Sequence, residues 1–307
     1  VYETGIAKSW EMSDDGKTYT FHLHTNVYFH NHEIFPNGKG RKVVASDFIY
    51  SFNRLLDDNV ASPGAWLVRG KVDDVNPYQA PNDSTLIVQL KIPYRPFLGV
   101  LTLPYFSVVP KEIVAHYGKD FRVNPVGSGP FTFKLWDEIK VLFLNKNEQY
   151  FMTDTEGNQL PYLDGIKVSF INDRKSEFEA FKQGQLEFMS GIDPAYKDMI
   201  LSPNGELRDE FKAEIDLFKL PYLNTEYLGF SLKNQNNKAI GNKLVRQAIN
   251  MGFDREKMIR YLRNGSGTPA HAGMIPEGLP SYNPNVVKGY KYDIEKAKAL
   301  LKEAGYE

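Results

Sequence analysis

Residues 7–23 have little freedom in their local structure, because two strand-like segments flank an Asp-Gly step. In the second segment Tyr19, Phe21 and Leu23 alternate with polar residues, which is the period of a strand with one buried face. The Asp-Gly step favours a tight primed turn, because Gly, Asn and Asp adopt left-handed backbone angles most easily. The sequence therefore predicts an antiparallel hairpin that packs one face against a core.

Length and composition exclude several function classes. At 307 residues the chain is long enough for two domains, and 42 % hydrophobic residues suffice for a sizeable core. Its 37 basic and 38 acidic residues nearly cancel, so no basic face for nucleic acid is expected. The absence of cysteine excludes a disulfide scaffold, a thiolate metal site and a cysteine nucleophile.

The ends of the sequence carry no membrane or export signal. No run approaches the ~20 apolar residues that a membrane-spanning helix needs. The first residues lack the basic start and apolar middle of a secretory signal. The chain stops just after a predicted helix has reached Gly305. These features predict either a processed or trimmed piece of a longer protein, or a cytosolic protein.

The segments after the hairpin predict both helices and strands. Ser46 is a good N-cap, so an amphipathic helix is predicted to follow it. Strands are predicted within residues 71–92 and as a pair at residues 131–136 and 141–144. The apolar face of the helix carries Phe48, Ile49, Phe52, Leu55 and Leu56.

The second half of the chain predicts a strand–helix–strand unit and then further helices. Residues 166–171 and 186–189 are predicted strands on either side of a helix that ends at a glycine. This order favours a right-handed crossover between parallel strands. Another strand is predicted at residues 227–232, followed by helices with Asp254 and Asp293 as N-caps.

Residues 124–131 contain two glycines and two prolines, which predict a tight turn rather than a regular element. Glycine lets another surface approach the backbone closely, so Gly127, Ser128 and Gly129 are predicted to contact a ligand. A turn that only redirects the chain is the alternative. Trp66, in a loop flanked by Gly and Pro, is predicted to stack on a ligand, with a local packing role as its alternative.

Several separated segments together resemble one family, and they cover essentially the whole chain. The chain resembles the extracytoplasmic solute-binding proteins of the oligopeptide, dipeptide and nickel class, bacterial solute-binding protein family 5, which deliver ligands to ABC importers. The segments that carry the resemblance are residues 9–23, 44–56, 124–131, 161–188, 245–257 and 292–306.

The resemblance implies an α/β fold of the two-lobed, periplasmic-binding-protein-like kind (class II type). Lobe I, with a mixed sheet and an inserted subdomain at about residues 44–122, is expected at residues 1–216, and the start of lobe II at residues 217–307. Such proteins trap a ligand by closing two lobes about a hinge. Because family members carry more chain at both ends, this chain is expected to be a fragment that binds ligand poorly or not at all.

The resemblance also implies ligand contacts outside the turn. Ser190 and Gly191 match a segment that faces the ligand in peptide-binding members. Tyr222, Asn224 and Tyr227 match the start of lobe II, where relatives offer aromatic and amide groups. For the tyrosines, ordinary core or surface packing is the alternative.

The histidines support a second hypothesis, a metal or metal-chelate binding module of the nickel type. Residues two apart on a strand point to the same face, so the pairs His22/His24 and His30/His32 could each give two imidazoles to one metal. Glu33 is the one carboxylate that accompanies them in this segment. A carbohydrate-active protein is a third hypothesis.

No enzyme is predicted from the sequence. It lacks a nucleophile elbow with matched partners, a zinc-protease motif and a phosphate-binding loop. Asp14 and Asp15 are neighbouring carboxylates, but residues side by side in a turn point apart.

We therefore expect a transport protein that binds an oligopeptide, or a similar extended solute, and passes it to the permease subunits of an ABC importer. Main-chain hydrogen bonds and roomy, water-lined pockets would give it broad specificity. We expect no cofactor, no bound metal, no nucleic acid partner and a monomeric state. The expected location is the periplasm, or the extracytoplasmic face of the inner membrane through a lipid anchor.

Overall fold

The opening hairpin lies in a four-stranded antiparallel sheet of the computed structural model, which describes residues 2–202, 205–220, 222–233, 237–263, 265 and 267–306. The strands lie in the order β1-β2-β4-β3. The hairpin and the strands within residues 71–92 are thus confirmed. The four strands are β1 (Ala7–Met12), β2 (Thr18–Leu23), β3 (Tyr78–Asn82) and β4 (Thr85–Gln89).

The loop between β1 and β2 differs from the predicted primed turn. The Ser13 carbonyl accepts a hydrogen bond from the Gly16 N–H at 2.8 Å, and within residues 13–17 only Gly16 has a left-handed φ, 68°. A turn of ordinary hand followed by a left-handed glycine therefore closes the hairpin. The Asp15 carboxylate accepts from Ser13 Oγ and the Lys17 N–H, and these bonds hold the pKa of Asp15 below its ordinary value. Turn geometry accounts for this aspartate.

Helix α1 (Ala45–Asn53) packs against this sheet over the first core cluster, which we call cluster 1. Strands β2 and β4 alternate buried and half-exposed side chains, as a sheet with one covered face requires. Phe52 and Leu55 are buried in cluster 1, which confirms the predicted apolar face of the helix. The strands contribute Tyr19, Phe21, Leu23, Tyr78, Leu86 and Val88 to the same cluster.

The N-terminus of α1 is not where the sequence predicts it. The helix begins at Ala45, so Val44 rather than Ser46 is the N-cap residue. The Asp47 carboxylate accepts a hydrogen bond from the Val44 N–H at 2.9 Å, and Arg41 binds the same carboxylate. A carboxylate in the first turn thus binds the N–H of the N-cap residue itself, as in the second half of a capping box. The prediction of Ser46 as N-cap is wrong.

A second core cluster, which we call cluster 2, packs on the loop that follows β2. Helix α2 (Phe97–Leu101) belongs to cluster 1, whereas α3 (Lys111–Tyr117) gives Ile113 to cluster 2. Phe48 of α1 packs against both clusters. The buried members of cluster 2 are Val27, Phe29, Phe35, Val43, Val108, Ile113 and Val126.

Arg41 connects cluster 2 to α1 and α3. Its guanidinium donates two hydrogen bonds to Asp47 (2.7 and 2.9 Å), two to Glu112 (2.6 and 3.0 Å) and one to the Lys42 carbonyl (3.0 Å). All five N–H groups of the side chain are therefore used. The guanidinium also lies 5.2 Å from the centre of the Phe29 ring. The Asp47 side chain is 6 % exposed, so its charge depends on this partner.

A separate three-stranded antiparallel sheet follows, and its first two strands confirm the predicted pair. Its strands are β5 (Phe131–Asp137), β6 (Val141–Lys146) and β7 (Gly165–Ser169), in chain order. The β5–β6 register shifts between Phe133 and Leu135, so Lys134 lies in a β-bulge.

The chain divides into two compact units, unit 1 (Val1–Ile171) and unit 2 (Asn172–Glu307). The lobe boundary near residue 216 and the subdomain at about residues 44–122 stay predictions. The carboxylates of Asp254 and Asp293 accept from N–H groups three residues on, which confirms both as N-caps. The helices of unit 2 are α4 (Arg174–Lys182), α5 (Pro194–Ile200), α6 (Lys238–Gly241), α7 (Lys243–Gly252), α8 (Arg255–Leu262) and α9 (Ile294–Glu303).

Two predicted strands are absent. Residues 186–189 and 227–232 have no regular secondary structure, and every strand pair in the described residues is antiparallel. The predicted parallel crossover is therefore wrong. A strand exists only where a neighbour accepts its backbone hydrogen bonds, and neither segment has such a neighbour among the described residues. Phe188 and Leu228 are correspondingly 72 % and 89 % exposed.

Tyr78 gives a test of cluster 1, because its buried hydroxyl has no hydrogen-bond partner among the described residues. Burial raises the pKa of Tyr78 and penalises its polar group. We expect Tyr78→Phe to leave the free energy of unfolding unchanged or to raise it by up to about 1 kcal/mol. Phe52→Ala, in ring contact with Tyr78, should instead lower it by about 3–5 kcal/mol. Urea unfolding measures both. A loss above about 1 kcal/mol for Tyr78→Phe contradicts the unpaired hydroxyl.

Arg41 gives a second test. Lysine keeps the charge but cannot form two bidentate pairs, so Arg41→Lys should lower the free energy of unfolding by about 1–3 kcal/mol. The matched control is Arg122→Lys, because the ion pair of Arg122 with Glu138 is exposed on both sides, and its loss should stay under about 1 kcal/mol. Equal losses of unfolding free energy in the two variants contradict the conclusion that the two bidentate pairs of Arg41 stabilise the fold more than an exposed ion pair does.

Candidate functional site

The turn at residues 127–129, called the 127–129 turn below, is held on His30 by two hydrogen bonds. The His30 backbone N–H donates to the Gly127 carbonyl at 2.7 Å, and His30 Nε2 lies 2.9 Å from the Gly129 carbonyl. Since a carbonyl can only accept, Nε2 carries the proton that this bond uses. His30 precedes Arg41 on the loop that builds cluster 2.

Asn147 holds the same turn from the end of β6. Its side-chain amide donates to the Gly129 carbonyl at 2.9 Å, and its backbone N–H donates to the Pro130 carbonyl at 2.9 Å. The side-chain oxygen of Asn147 accepts from the Gln149 N–H at 3.0 Å. His30 and Asn147 are each 8 % exposed, so two buried polar side chains bind one carbonyl. The turn is therefore fixed from its carbonyl side.

Burial of His30 disfavours its protonated form. Desolvation lowers the pKa of His30 below its ordinary value of 6.5, and the bond to the Gly129 carbonyl opposes this shift only in part. His30 is therefore neutral near pH 7 and acts as a fixed hydrogen-bond donor.

The segments on both sides of the 127–129 turn line a cavity of about 240 Å³ together with residues 30–32. Residues 124–126 enter it from before the turn and residues 132–134 from after it. Lys134, in the bulge of β5, is an exposed residue that lines this cavity, and it makes no ion pair within the described residues.

The two glycines of the 127–129 turn do not have the left-handed backbone angles that favour glycine. A Cβ at Gly127 would lie 3.9 Å from the His30 ring, and one at Gly129 would meet no atom within 4 Å. Neither glycine has a left-handed φ. The fold itself therefore does not require glycine at residue 129, and the space in front of it is open. Ligand contact by Gly127, Ser128 and Gly129 stays a prediction.

The four histidines of the metal hypothesis have separate environments. His22 Nε2 lies 3.4 Å from a Glu11 carboxylate oxygen, and the His24 ring packs 5.3 Å from that of Phe151. Over the residues that the structure describes, no three His, Asp or Glu side chains form a metal-ligand set.

Three of the four ring nitrogens of His30 and His32 already have hydrogen-bond partners. His30 Nε2 binds the Gly129 carbonyl, while His32 Nδ1 accepts from the Ile34 N–H at 3.2 Å. His32 Nε2 lies 3.2 Å from the Tyr117 hydroxyl. The geometry therefore gives the metal hypothesis no support.

Trp66 lies in a short 3-10 helix, Ala65–Leu67, and its side chain is 67 % exposed. Lys71 Nζ donates to the Trp66 carbonyl at 3.0 Å and lies 5.3 Å from the Trp66 ring centre and 5.2 Å from that of Tyr94. Trp66 shares no hydrogen bond or ring contact with the 127–129 turn in the described part of the chain. The ring is therefore an exposed aromatic surface rather than a core plug, and its ligand contact stays a prediction.

The candidate residues of unit 2 all lie on its surface. Ser190 and Gly191 are exposed, and Gly191 has a left-handed φ of 80°. Tyr222 and Tyr227 are 85 % and 69 % exposed, which excludes core packing for both. The exposed Asn224 donates its backbone N–H to the Tyr222 carbonyl at 2.7 Å. Their roles in binding stay predictions.

Comparison with known proteins decides the family. A family model described as "Bacterial extracellular solute-binding proteins, family 5 Middle" matches residues 1–307. The chain belongs to this family. The predicted resemblance is thereby confirmed, and so is the α/β, periplasmic-binding-protein-like fold class.

Relatives of this family 5 chain include proteins named for different ligands. It is 29 % identical over 315 residues to the dipeptide-binding protein of Escherichia coli (strain K12), which covers 99 % of this chain and 55 % of that protein. It is 30 % identical over 320 residues to heme-binding protein A of Haemophilus influenzae, with 99 % and 54 % covered. The chain thus spans about half the length of these curated relatives.

Solved structures of family 5 proteins share the fold. The ABC transporter-associated periplasmic binding protein DppA from Helicobacter pylori, in complex with peptide STSA, matches with a TM-score of 0.78 and 28 % identity. The match covers 99 % of this chain and 57 % of that one. None of the described helices of our chain has the length and hydropathy needed to cross a bilayer.

Sequence reasoning found the 127–129 turn but missed what holds it. His30 was considered as a metal ligand, whereas its ring binds the Gly129 carbonyl. Asn147 carried no sequence signal, because an isolated Asn after a strand is ordinary and only its burial shows its role. Lys134 was read as a plain strand residue, since a bulge follows from the register and cannot be seen in the sequence.

His30 predicts how stability depends on pH. Below its ordinary pKa of 6.5 the unfolded chain takes up a proton that the folded chain resists, so the free energy of unfolding falls as pH drops through this range. His30→Gln keeps a side-chain N–H donor but does not titrate. Between about pH 8 and pH 5 this variant should therefore lose less stability than the parent chain.

Thermal or urea unfolding at several pH values measures this difference. His116→Gln is the matched control, because His116 is exposed, and it should follow the parent chain. A His30→Gln profile that is parallel to the parent profile contradicts the buried, neutral imidazole.

Proposed function

We propose that the protein binds an oligopeptide, or a similar extended solute, outside the cytoplasm and delivers it to an ABC importer. The observation that carries this proposal is the family 5 match over residues 1–307. It is supported by a relative named as a dipeptide-binding protein and by a similar solved structure that holds a peptide. The chain acts as a binding protein and not as an enzyme.

The surfaces of the two units fit this function. The 127–129 turn of unit 1 offers a rigid backbone edge, and Tyr222 and Tyr227 of unit 2 offer exposed rings with hydroxyl groups. Extended peptides are recognised through main-chain hydrogen bonds, and aromatic side chains add contact area with little conformational freedom to lose. Ligand would be trapped by closure of the two lobes about a hinge.

The proposed partners follow from the same role. A delivered solute needs the permease subunits of the importer as its receptor, and the protein acts as a monomer in the periplasm or as a lipid-anchored protein on the extracytoplasmic face of the inner membrane. A second copy or a nucleic acid has no part in this function.

Calorimetric titration of the full-length protein with di-, tri- and tetrapeptides tests the proposal. We expect saturable binding with a Kd of about 10 µM or tighter to at least one peptide length, since such affinities correspond to about −7 kcal/mol. Single amino acids serve as the matched control and should bind at least about tenfold more weakly, because they offer fewer main-chain groups. Binding of hemin or of a nickel chelate with no response to any peptide contradicts a peptide ligand.

A further inference from the structure

The 127–129 turn presents unpaired backbone donors. The N–H groups of Gly127, Ser128 and Gly129, and the Ser128 hydroxyl, bind no acceptor among the described residues. The carbonyls of Gly127 and Gly129, in contrast, are occupied by His30 and Asn147. Apart from the Ser128 carbonyl and the Ser128 hydroxyl oxygen, the free groups of the turn in the described structure are therefore donors, which favours a ligand group that accepts.

The surroundings of the turn favour negative charge in that ligand group. Lys134 lines the adjoining cavity without an ion-pair partner in the described part of the chain. His30, the titratable group that faces the turn, is buried and neutral, and it is committed to the Gly129 carbonyl. Charge-assisted hydrogen bonds to backbone N–H groups are about twice as strong as neutral ones, so an anionic oxygen gains most here.

The 127–129 turn is held in place by hydrogen bonds and has open space beside Gly129. Asn147 and His30 fix the Gly129 carbonyl from the protein side, so the donors need little reordering when a ligand binds. A Cβ added at Gly129 would meet no protein atom within 4 Å. Glycine at this residue therefore keeps space open for something other than this chain.

We propose that the 127–129 turn is the subsite for a carboxylate group of the transported solute, with Lys134 as the supporting cation. This inference rests on the proposed function, because it assigns one part of the same solute. The carboxylate oxygens accept from the N–H groups of the turn and from the Ser128 hydroxyl.

Gly129→Ala is the main test, because its methyl group fills the open space without touching the protein. We expect unfolding stability to stay unchanged, while the affinity for a dipeptide with a free carboxylate falls at least about tenfold. The affinity for the same dipeptide as its C-terminal amide should change less than about threefold. Gly5→Ala is the matched control, since a Cβ at Gly5 also meets nothing within 4 Å, and it should change neither affinity. Alanyl-alanine and alanyl-alanine amide are the probes in calorimetry.

A second arm does not depend on peptide binding. Succinate, phosphate and chloride are titrated while the backbone amide signals of residues 127–129 are followed by NMR. We expect saturable amide shifts with succinate, and the affinity for succinate should fall about threefold or more in Lys134→Gln.

The outcomes separate the two proposals. If no peptide binds but succinate shifts these amides, the proposed function is contradicted and the carboxylate subsite is supported. Unshifted amides with succinate, tighter binding of phosphate than of succinate, or equal losses of acid and amide peptide in Gly129→Ala overturn the subsite.

Discussion

The guanidinium of Arg41, with all five N–H groups hydrogen-bonded, joins the parts of unit 1 on which the candidate site rests. It binds the buried Asp47 carboxylate that starts α1, and it binds Glu112 at the start of α3, so two helices and the cluster 2 loop share one cation. Because Asp47 is nearly inaccessible to solvent, no water can replace this partner cheaply. The loop between β2 and α1 is thereby anchored at Arg41.

The same loop carries His30, and His30 connects the loop to the candidate site because it binds the carbonyls of the 127–129 turn. Packing of Phe29 in cluster 2 places His30 beneath the 127–129 turn, while Asn147 arrives from the end of β6. A turn with two glycines and two prolines has no regular hydrogen bonds of its own, so its position must come from neighbours. His30 and Asn147 hold the carbonyls of Gly127 and Gly129, while the N–H groups of residues 127–129 bind no acceptor among the described residues. Structural and functional interpretations of the turn are therefore compatible.

The sequence predicts those features that neighbouring residues determine, and it fails where a feature depends on a distant part of the chain. The hairpin, the apolar face of α1 and the aspartate caps of α8 and α9 follow from a few neighbouring residues, and all are confirmed. Strands at 186–189 and 227–232 looked equally good in pattern, but a strand also requires a partner that the pattern does not specify. The prediction of Ser46 as N-cap is wrong because the helix already begins at Ala45, where the Asp47 carboxylate binds the N–H of the N-cap residue Val44. In the same way, the turn was found by composition, whereas His30 and Asn147 act through contacts of long sequence separation.

Backbone amide hydrogen exchange of the full-length protein, with and without a peptide that it binds, tests the central claim most directly. Without peptide, the His30 amide should exchange at least about tenfold more slowly than in the unfolded chain, since it donates to the Gly127 carbonyl, while the amides of residues 127–129 exchange freely. With peptide, the amides of residues 127–129 should slow at least about tenfold. A freely exchanging His30 amide would show that the turn is not held, and unchanged exchange at residues 127–129 under saturating peptide would show that it does not meet the ligand.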